Sequence, residues 1–254
     1  MFGQANASSC LIKNQLKEIT TYDGRQYDLD DRDTCNYVLV RDCRTKLFSI
    51  HLVKKYRNVG KDLANNDDDD DNNNNNNNSP SNHIKFDGAS LWIKIDNVKV
   101  YLTHFDRVRV NGSLVSMPFI RINSFSIFRF NNQIKLRSSI GEANQNCWWL
   151  VDESSTNSCV YFIICLFFTG LDILWTANST ATIKVTNAFH SKLCGLCGNF
   201  NHNVGDEFQL KNSKRIVTLK KFVKSFKVSL CSNRSDKLTM LSEIVSGWSK
   251  STLS

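Results

Sequence analysis

The 254-residue chain is 41% hydrophobic and 22% charged, enough apolar material for one large domain or two small ones and too much for a disordered chain. Its net charge of +8 sits at the end: residues 211–254 carry ten Lys or Arg against Asp236 and Glu243, while the first 210 residues balance at 22 against 22. The basic character belongs to the tail, and a nucleic-acid partner is not expected.

In chain order, Thr20–Cys43 holds a turn signal at Asp23-Gly24 and a core strand at Tyr37–Val40, a hairpin leading into a sheet. Leu47–Tyr56 is a second strand, with Phe48, Ile50 and Leu52 alternating against Ser49, His51 and Val53. Residues 57–88 form a low-complexity insert in which Asp67–Asp71 precedes Asn72–Asn78. Such a stretch cannot bury enough apolar surface to offset its ordering entropy, so a disordered loop is expected. The aspartate run reads as a solvated linker, because ligands that are not held in place bind hard cations weakly. Strands follow at Leu91–Ile95, Val98–Leu102, Val108–Val110, Leu114–Ile120, Ser126–Phe130 and Ile134–Leu136, with a turn at Asn111-Gly112. That rhythm predicts an all-β antiparallel sandwich or barrel-like sheet. Gly141–Cys165 breaks it, either as a disulfide-closed excursion from Cys147 to Cys159 or as retained intron-derived sequence. Strands resume at Leu171–Trp175 and Thr180–Val185. Leu219, Phe222, Val223 and Phe226 then recur at helical spacing, with Lys220, Lys221, Lys224 and Lys227 facing away. This is a short amphipathic basic helix whose apolar stripe is expected to dock on the sheet. Residues 232–254 carry one more helix around Leu241–Trp248 or a frayed tail.

Nine cysteines spread over the whole chain suit long-range disulfides in an oxidising compartment, so a secreted, extracellular location is expected. Sequons at Asn6, Asn77, Asn111, Asn178 and Asn233 are compatible with it. Met1–Ser9 is polar and lacks the apolar centre of an export signal, so either the chain is a fragment of a longer secreted one or the secreted reading fails. The apolar run Val160–Phe168 is shorter than the roughly 20 residues of a membrane span. The five histidines show no convergence with a nucleophile and no nucleotide-binding glycine loop is present, so no enzyme is expected.

The stretch Leu193–Phe208 concentrates the chemistry. Cys194 and Cys197 are flanked by Gly195 and Gly198 and followed by Asn199, Asn201, Asn203, Asp206 and Glu207. A backbone that folds tightly there brings several oxygens together, the chemistry of a calcium loop beside a cysteine clamp. The Cys-x-x-Cys spacing also serves redox dithiols and zinc sites, with His190 and His202 as further zinc ligands. The flanking carboxamides and carboxylates favour calcium.

Three separated motifs resemble the von Willebrand factor type D domain: Cys194–Phe208 with its Cys-Gly-Leu-Cys-Gly-Asn-Phe-Asn and Gly-Asp-Glu-Phe, Tyr22–Cys43 with Tyr-Asp-Gly-Arg-Gln-Tyr-Asp-Leu, and Val108–Ser113. Phe222–Val228 looks like the family's closing helix, with Phe226 where a tryptophan is usual, so the resemblance covers residues 10–231 and leaves 232–254 as a tail. It implies an extracellular antiparallel β-sandwich with Ca2+ held by Asp23, Asn199, Asn201, Asp206 and Glu207, and by Asn203 or its neighbour through a carbonyl. It also implies disulfides Cys10–Cys197, Cys35–Cys231 and Cys43–Cys194, each contributing roughly 2–5 kcal/mol. Two departures stand out. Lys13–Glu18 replaces the family's usual Gly-Asp-Pro-His, and Cys147, Cys159 and Cys165 have no counterpart.

The function implied is a non-catalytic, calcium-stabilised module that binds other extracellular proteins. Lys192–Cys194 and the Phe222–Val228 ending look closest to extracellular regulators of bone morphogenetic proteins, the crossveinless and kielin/chordin-like group. Alternatives are a D domain of a vitellogenin- or apolipophorin-like lipoprotein, or an assembly domain of a mucin or clotting protein. Lys211, Lys214, Arg215, Lys220, Lys221, Lys224 and Lys227 form a cationic cluster suited to a glycosaminoglycan.

Overall fold

A computed structural model describes residues 7–13, 17–29, 35–58, 84–103, 107–121, 124–130, 133–140, 148–151, 161–164, 170–176, 178–210 and 215–228. The strands are β1 (Ala7–Lys13), β2 (Glu18–Thr20), β3 (Gln26–Asp28), β4 (Tyr37–Asp42), β5 (Phe48–Asn58), β6 (Ile84–Ile95), β7 (Val98–Leu102), β8 (Val108–Val110) and β9 (Ser113–Leu114). They continue with β10 (Phe119–Arg121), β11 (Phe125–Phe130), β12 (Gln133–Ser138), β13 (Trp148–Val151), β14 (Tyr161–Ile164), β15 (Leu171–Thr176), β16 (Ala181–Thr186) and β17 (Leu193–Cys194). Helix α1 (Leu219–Ser225) follows.

One sheet has eight strands in the order β10-β11-β12-β15-β16-β1-β2-β3, and the other has seven in the order β17-β4-β5-β6-β7-β8-β9. The pairings are antiparallel, as the short loops and Asn-Gly and Asp-Asn turns require. Burial alternates with period two along β7, β12 and β15, so each sheet turns one face inward. Ile127, Ile134, Leu136, Ile173, Trp175 and Ile183 from the first sheet and Ile50, Leu52, Leu91, Ile93, Val100 and Leu102 from the second belong to one solvent-free core. The sheets are also joined by hydrogen bonds. Trp175 Nε1 donates to the Thr103 carbonyl at 3.1 Å, and the Ala89 N–H donates to Ser179 Oγ at 3.3 Å.

The all-β reading holds, with local differences. Leu114–Ile120 is not one strand: the chain leaves the seven-stranded sheet after β9 and enters the eight-stranded one at β10. Pro118 lies between, with no N–H to offer a ladder. β1 has no clear alternating signal, and pairing with β16 over Ala7–Ile12 makes it a strand. β5 and β6 run into the 57–88 insert, with Tyr56 opposite Phe86 and Asn58 opposite Ile84; residues 59–83 lie outside the described residues. β13 and β14 form a separate two-stranded hairpin within 141–165. Cys147, Cys159, Cys165 and the helix expected at Leu241–Trp248 also lie outside the described residues.

At the end of β4, Asp42 organises the turn to β5. Its carboxylate, 1% exposed, accepts from the N–H groups of Arg44 and Thr45 at 3.0 Å and of Leu47 at 3.3 Å, and from the Thr45 hydroxyl. Burial pushes the carboxyl pKa up, but these donors outweigh it and hold it below the ordinary value. Such a group stabilises the fold above its unfolded pKa, and the contribution is lost as pH falls through the lower folded value. Asp42→Ala leaves those N–H groups without an acceptor and is expected to cost about 1–3 kcal/mol in urea unfolding at neutral pH. The gap between wild type and variant should shrink below about pH 4.

Candidate metal centre

The Cys194–Gly198 segment is sewn to both neighbouring elements. The N–H groups of Leu196 and Cys197 donate to the carbonyls of Val38 and Leu39 in β4 at 3.1 and 2.8 Å, and the Cys197 carbonyl accepts from Tyr22 N–H at 3.0 Å. Tyr27 of β3 donates its hydroxyl to the Leu196 carbonyl at 2.5 Å. The close approach is possible because Gly195 has φ +142°, and a Cβ there would lie 2.3 Å from the Leu39 carbonyl oxygen. Disulfides complete the attachment: Cys10 is bonded to Cys197 and Cys43 to Cys194, with Cα separations of 5.6 and 6.0 Å. Cys35 is also disulfide-bonded; Cys231, its expected partner, lies outside the described residues. With Cys194 and Cys197 both oxidised, the zinc and dithiol readings lose their thiolates. His190 and His202 do meet, with ring centroids 4.8 Å apart beside Phe200.

This anchoring brings the β2–β3 turn against the loop after Cys197. Asp23 accepts from the N–H groups of Asn201 and His202 at 2.9 and 3.0 Å, and its own N–H donates to Glu207 Oε1 at 3.3 Å. The Asp206 carboxylate accepts from the side-chain amides of Asn199 and Asn201 at 3.1 and 2.9 Å. Asn203 faces another way: its Oδ1 accepts from Gly205 N–H at 3.0 Å at the start of the 3-10 turn Val204–Asp206, and its carbonyl accepts from Asp206 N–H at 3.4 Å.

Glu207 is the centre of the arrangement. It is 2% exposed. Gly198, at φ +87°, supplies the space for it, since a Cβ at that position would lie 1.6 Å from Glu207 Oε2. Burial first, then the neighbouring Asp23 carboxylate through its charge and a side-chain hydrogen bond, push its pKa up from 4.5 to about 8, outweighing the lowering effect of the Thr21 side chain and the Asp23 N–H. Glu207 Oε2 and Asn199 Oδ1 are both buried with no hydrogen-bond donor. Two orphaned oxygens beside a second carboxylate are what a hard oxygen-seeking cation satisfies. Among the described residues no three His, Cys, Asp or Glu side chains form a metal-ligating group; the oxygens converging here are carboxylates interleaved with carboxamides.

Helix α1 closes this end of the molecule, with its apolar stripe packed against residues of β3 and the start of β4. Phe222 and Phe226 are buried. Phe222 packs edge-on to Tyr27 at 6.0 Å and against Phe208 at 5.1 Å, and Arg25 sits 4.8 Å over the Phe208 ring. Past the helix, Phe226 accepts from Val38 N–H and Val228 donates to Asn36, so the chain pairs with the start of β4. Lys220, Lys221, Lys224 and Arg215 are exposed, whereas Lys227 is half-buried with its Nζ 6.0 Å from the Tyr37 ring. Lys211 and Lys214 lie outside the described residues. No helix among the described residues is long and apolar enough to cross a membrane.

A family model for the von Willebrand factor type D domain matches residues 67–214. The chain belongs to that family. Its relatives include alpha-tectorin of Gallus gallus, 27% identical over 142 residues that are 55% of this chain and 5% of the relative. They also include the IgGFc-binding protein of Homo sapiens, 24% identical over 217 residues, 84% of this chain and 3% of the relative. Mucin-6 of Homo sapiens is 36% identical over 63 residues, 24% and 3% of the two chains. The type D domain chain thus spans a few per cent of the length of these relatives.

The raised Glu207 pKa fixes a sign for the cation-free type D domain. Its stabilising contribution is complete below the ordinary value of 4.5 and is lost as pH rises through about 8. Thermal melts in EDTA are expected to fall steadily between about pH 5 and pH 8, and Glu207→Gln to flatten that slope.

Proposed function

We propose that this type D domain is a non-catalytic extracellular interaction and assembly module, locked by disulfides and braced by Ca2+. Asp23, Asn199, Asn201, Asp206 and Glu207 would hold the ion, with a carbonyl at or next to Asn203. The ion would supply the positive charge that lets buried Glu207 ionise beside Asp23. The observation that carries the reading is the pair of buried oxygens without donors, Glu207 Oε2 and Asn199 Oδ1. Mucin- and tectorin-named relatives support the assembly form of the function. A regulator of bone morphogenetic proteins and a lipoprotein parent rest on sequence resemblance alone. The exposed lysines of α1 are the proposed glycosaminoglycan contact of this end of the molecule.

Calorimetric titration of the oxidised chain with Ca2+ tests the site. Binding is expected with a Kd on the order of 10⁻⁴–10⁻³ M, as in extracellular modules. Asp206→Ala should weaken it at least about tenfold, and Ca2+ at about 100 times Kd should add about 2.7 kcal/mol to the unfolding free energy. Absence of binding at about 10 mM, or affinity unchanged in Asp206→Ala, would sink the proposal.

A further inference from the structure

The even charge balance of the first 210 residues hides a segregation that the seven-stranded sheet makes visible. The acidic residues of this region concentrate at 18–33 and 62–71. The outward face of the sheet is cationic. Register places Arg41, Ser49, Lys94 and Lys99 in one row across β4, β5, β6 and β7. A second row runs His51, Trp92, Tyr101, Arg109 and Leu114 across β5 to β9. These positions alternate with the buried core residues and are half-exposed or exposed. With strands about 4.8 Å apart, the first row spans ~14 Å.

Two features of this face go beyond a solvated sheet surface. Lys94 and Lys99 are directly opposite each other, and like charges in that relation are destabilising. Among the described residues neither has an ion-pair partner. The second feature is the pair of aromatic residues held beside them. Trp92 and Tyr101 are half-buried: Trp92 meets His51 edge-on at 4.8 Å with its Nε1 buried and without an acceptor, and Lys55 sits 6.0 Å from the Tyr101 ring. Of the acidic residues in the described span of β5 to β9, Asp96 is in the tight β6–β7 turn and Asp87 is at the bulged end of β6. No carboxylate occupies the rows themselves.

We propose that the outward face of the seven-stranded sheet binds a sulfated polysaccharide, with Lys94, Lys99, Arg41 and Arg109 neutralising its anionic groups and Trp92 and Tyr101 packing on its sugar rings. A linear polyanion relieves the Lys94–Lys99 repulsion and gains entropy from released counterions. Aromatic side chains supply flat apolar area with a polar edge, which suits a sugar ring. The disulfides place the chain in an oxidising compartment, where extracellular glycans rather than nucleic acids are the available polyanions. This face is separate from the lysines of α1 and from the oxygen cluster around Glu207, so it stands or falls independently of the calcium reading.

The test uses the full oxidised chain and immobilised heparin oligosaccharide, with affinity measured from low to physiological salt. Lys94→Glu with Lys99→Glu is expected to weaken binding at least about tenfold and to reduce the slope of log K against log salt by about 2. Trp92→Ala should weaken binding with little change in that slope. Far-ultraviolet circular dichroism and the melting temperature establish that each variant is folded, and Lys94→Gln with Lys99→Gln provides a milder pair if the reversal unfolds the chain. Full affinity in the folded Lys94/Lys99 variants would overturn the proposal, as would complete loss on reversing Lys220, Lys221 and Lys224 alone. Equal affinity for single-stranded DNA of the same charge would overturn the assignment to a glycan.

Discussion

Cys197 is where the two sheets and the oxygen-rich loop are held to one another. Its sulfur is bonded to Cys10 in the eight-stranded sheet, its N–H is given to Leu39 in the seven-stranded sheet, and its carbonyl takes the Tyr22 N–H ahead of the Asp23 turn. Three elements distant in sequence therefore meet at one residue. The bonds Cys10–Cys197 and Cys43–Cys194 span 187 and 151 residues, so they remove a large part of the freedom of the unfolded chain. The geometry of the oxygen cluster depends on them, because Asp23 and Glu207 come from opposite ends of the chain and have no local reason to meet.

Much of this was readable from residue patterns, and the reasons for the rest are physical. Alternation along Phe48–Val53 and Val98–Leu102 marks strands because one face of each is buried, and Leu219, Phe222, Val223 and Phe226 mark α1 for the same reason at helical spacing. β1 escaped because its pairing with β16, not its own pattern, makes it a strand, and β10 was merged with β9 because the change of sheet between them leaves no mark in the apolar pattern. The oxygen-bearing residues around Cys197 were visible as a cluster in sequence. Which of them face inward was not: the Asn203 carboxamide is used locally to cap Gly205, while Glu207 is buried in the space that Gly198 leaves. That division depends on backbone dihedral angles that composition does not encode. The cationic sheet face was hidden for a similar reason, since net charge counts residues and register decides which of them share a surface.

The two sites solve opposite electrostatic problems. Around Glu207, negative charge is gathered where water is excluded, and the fold alone leaves it in need of a proton or a cation. On the outward sheet face, positive charge is gathered at the surface, where solvent and salt soften the repulsion. The first arrangement ties folding to pH, through the raised pKa of Glu207. The second leaves the fold intact and reserves the charge for a partner.

The β5–β6 hairpin has a further consequence. Its neighbours β4 and β7 pair only with the part nearest the β6–β7 turn, up to Leu52 and Leu91, and beyond it β5 and β6 pair only with each other. The Asp and Asn runs of residues 67–78 fall in sequence between Asn58 of β5 and Ile84 of β6. Doubling the length of such a connection adds only about 0.6 kcal/mol of closure entropy. Length changes between Asn58 and Ile84 therefore cost little in closure entropy, while the register of β5 against β6 fixes where the two ends of that connection meet.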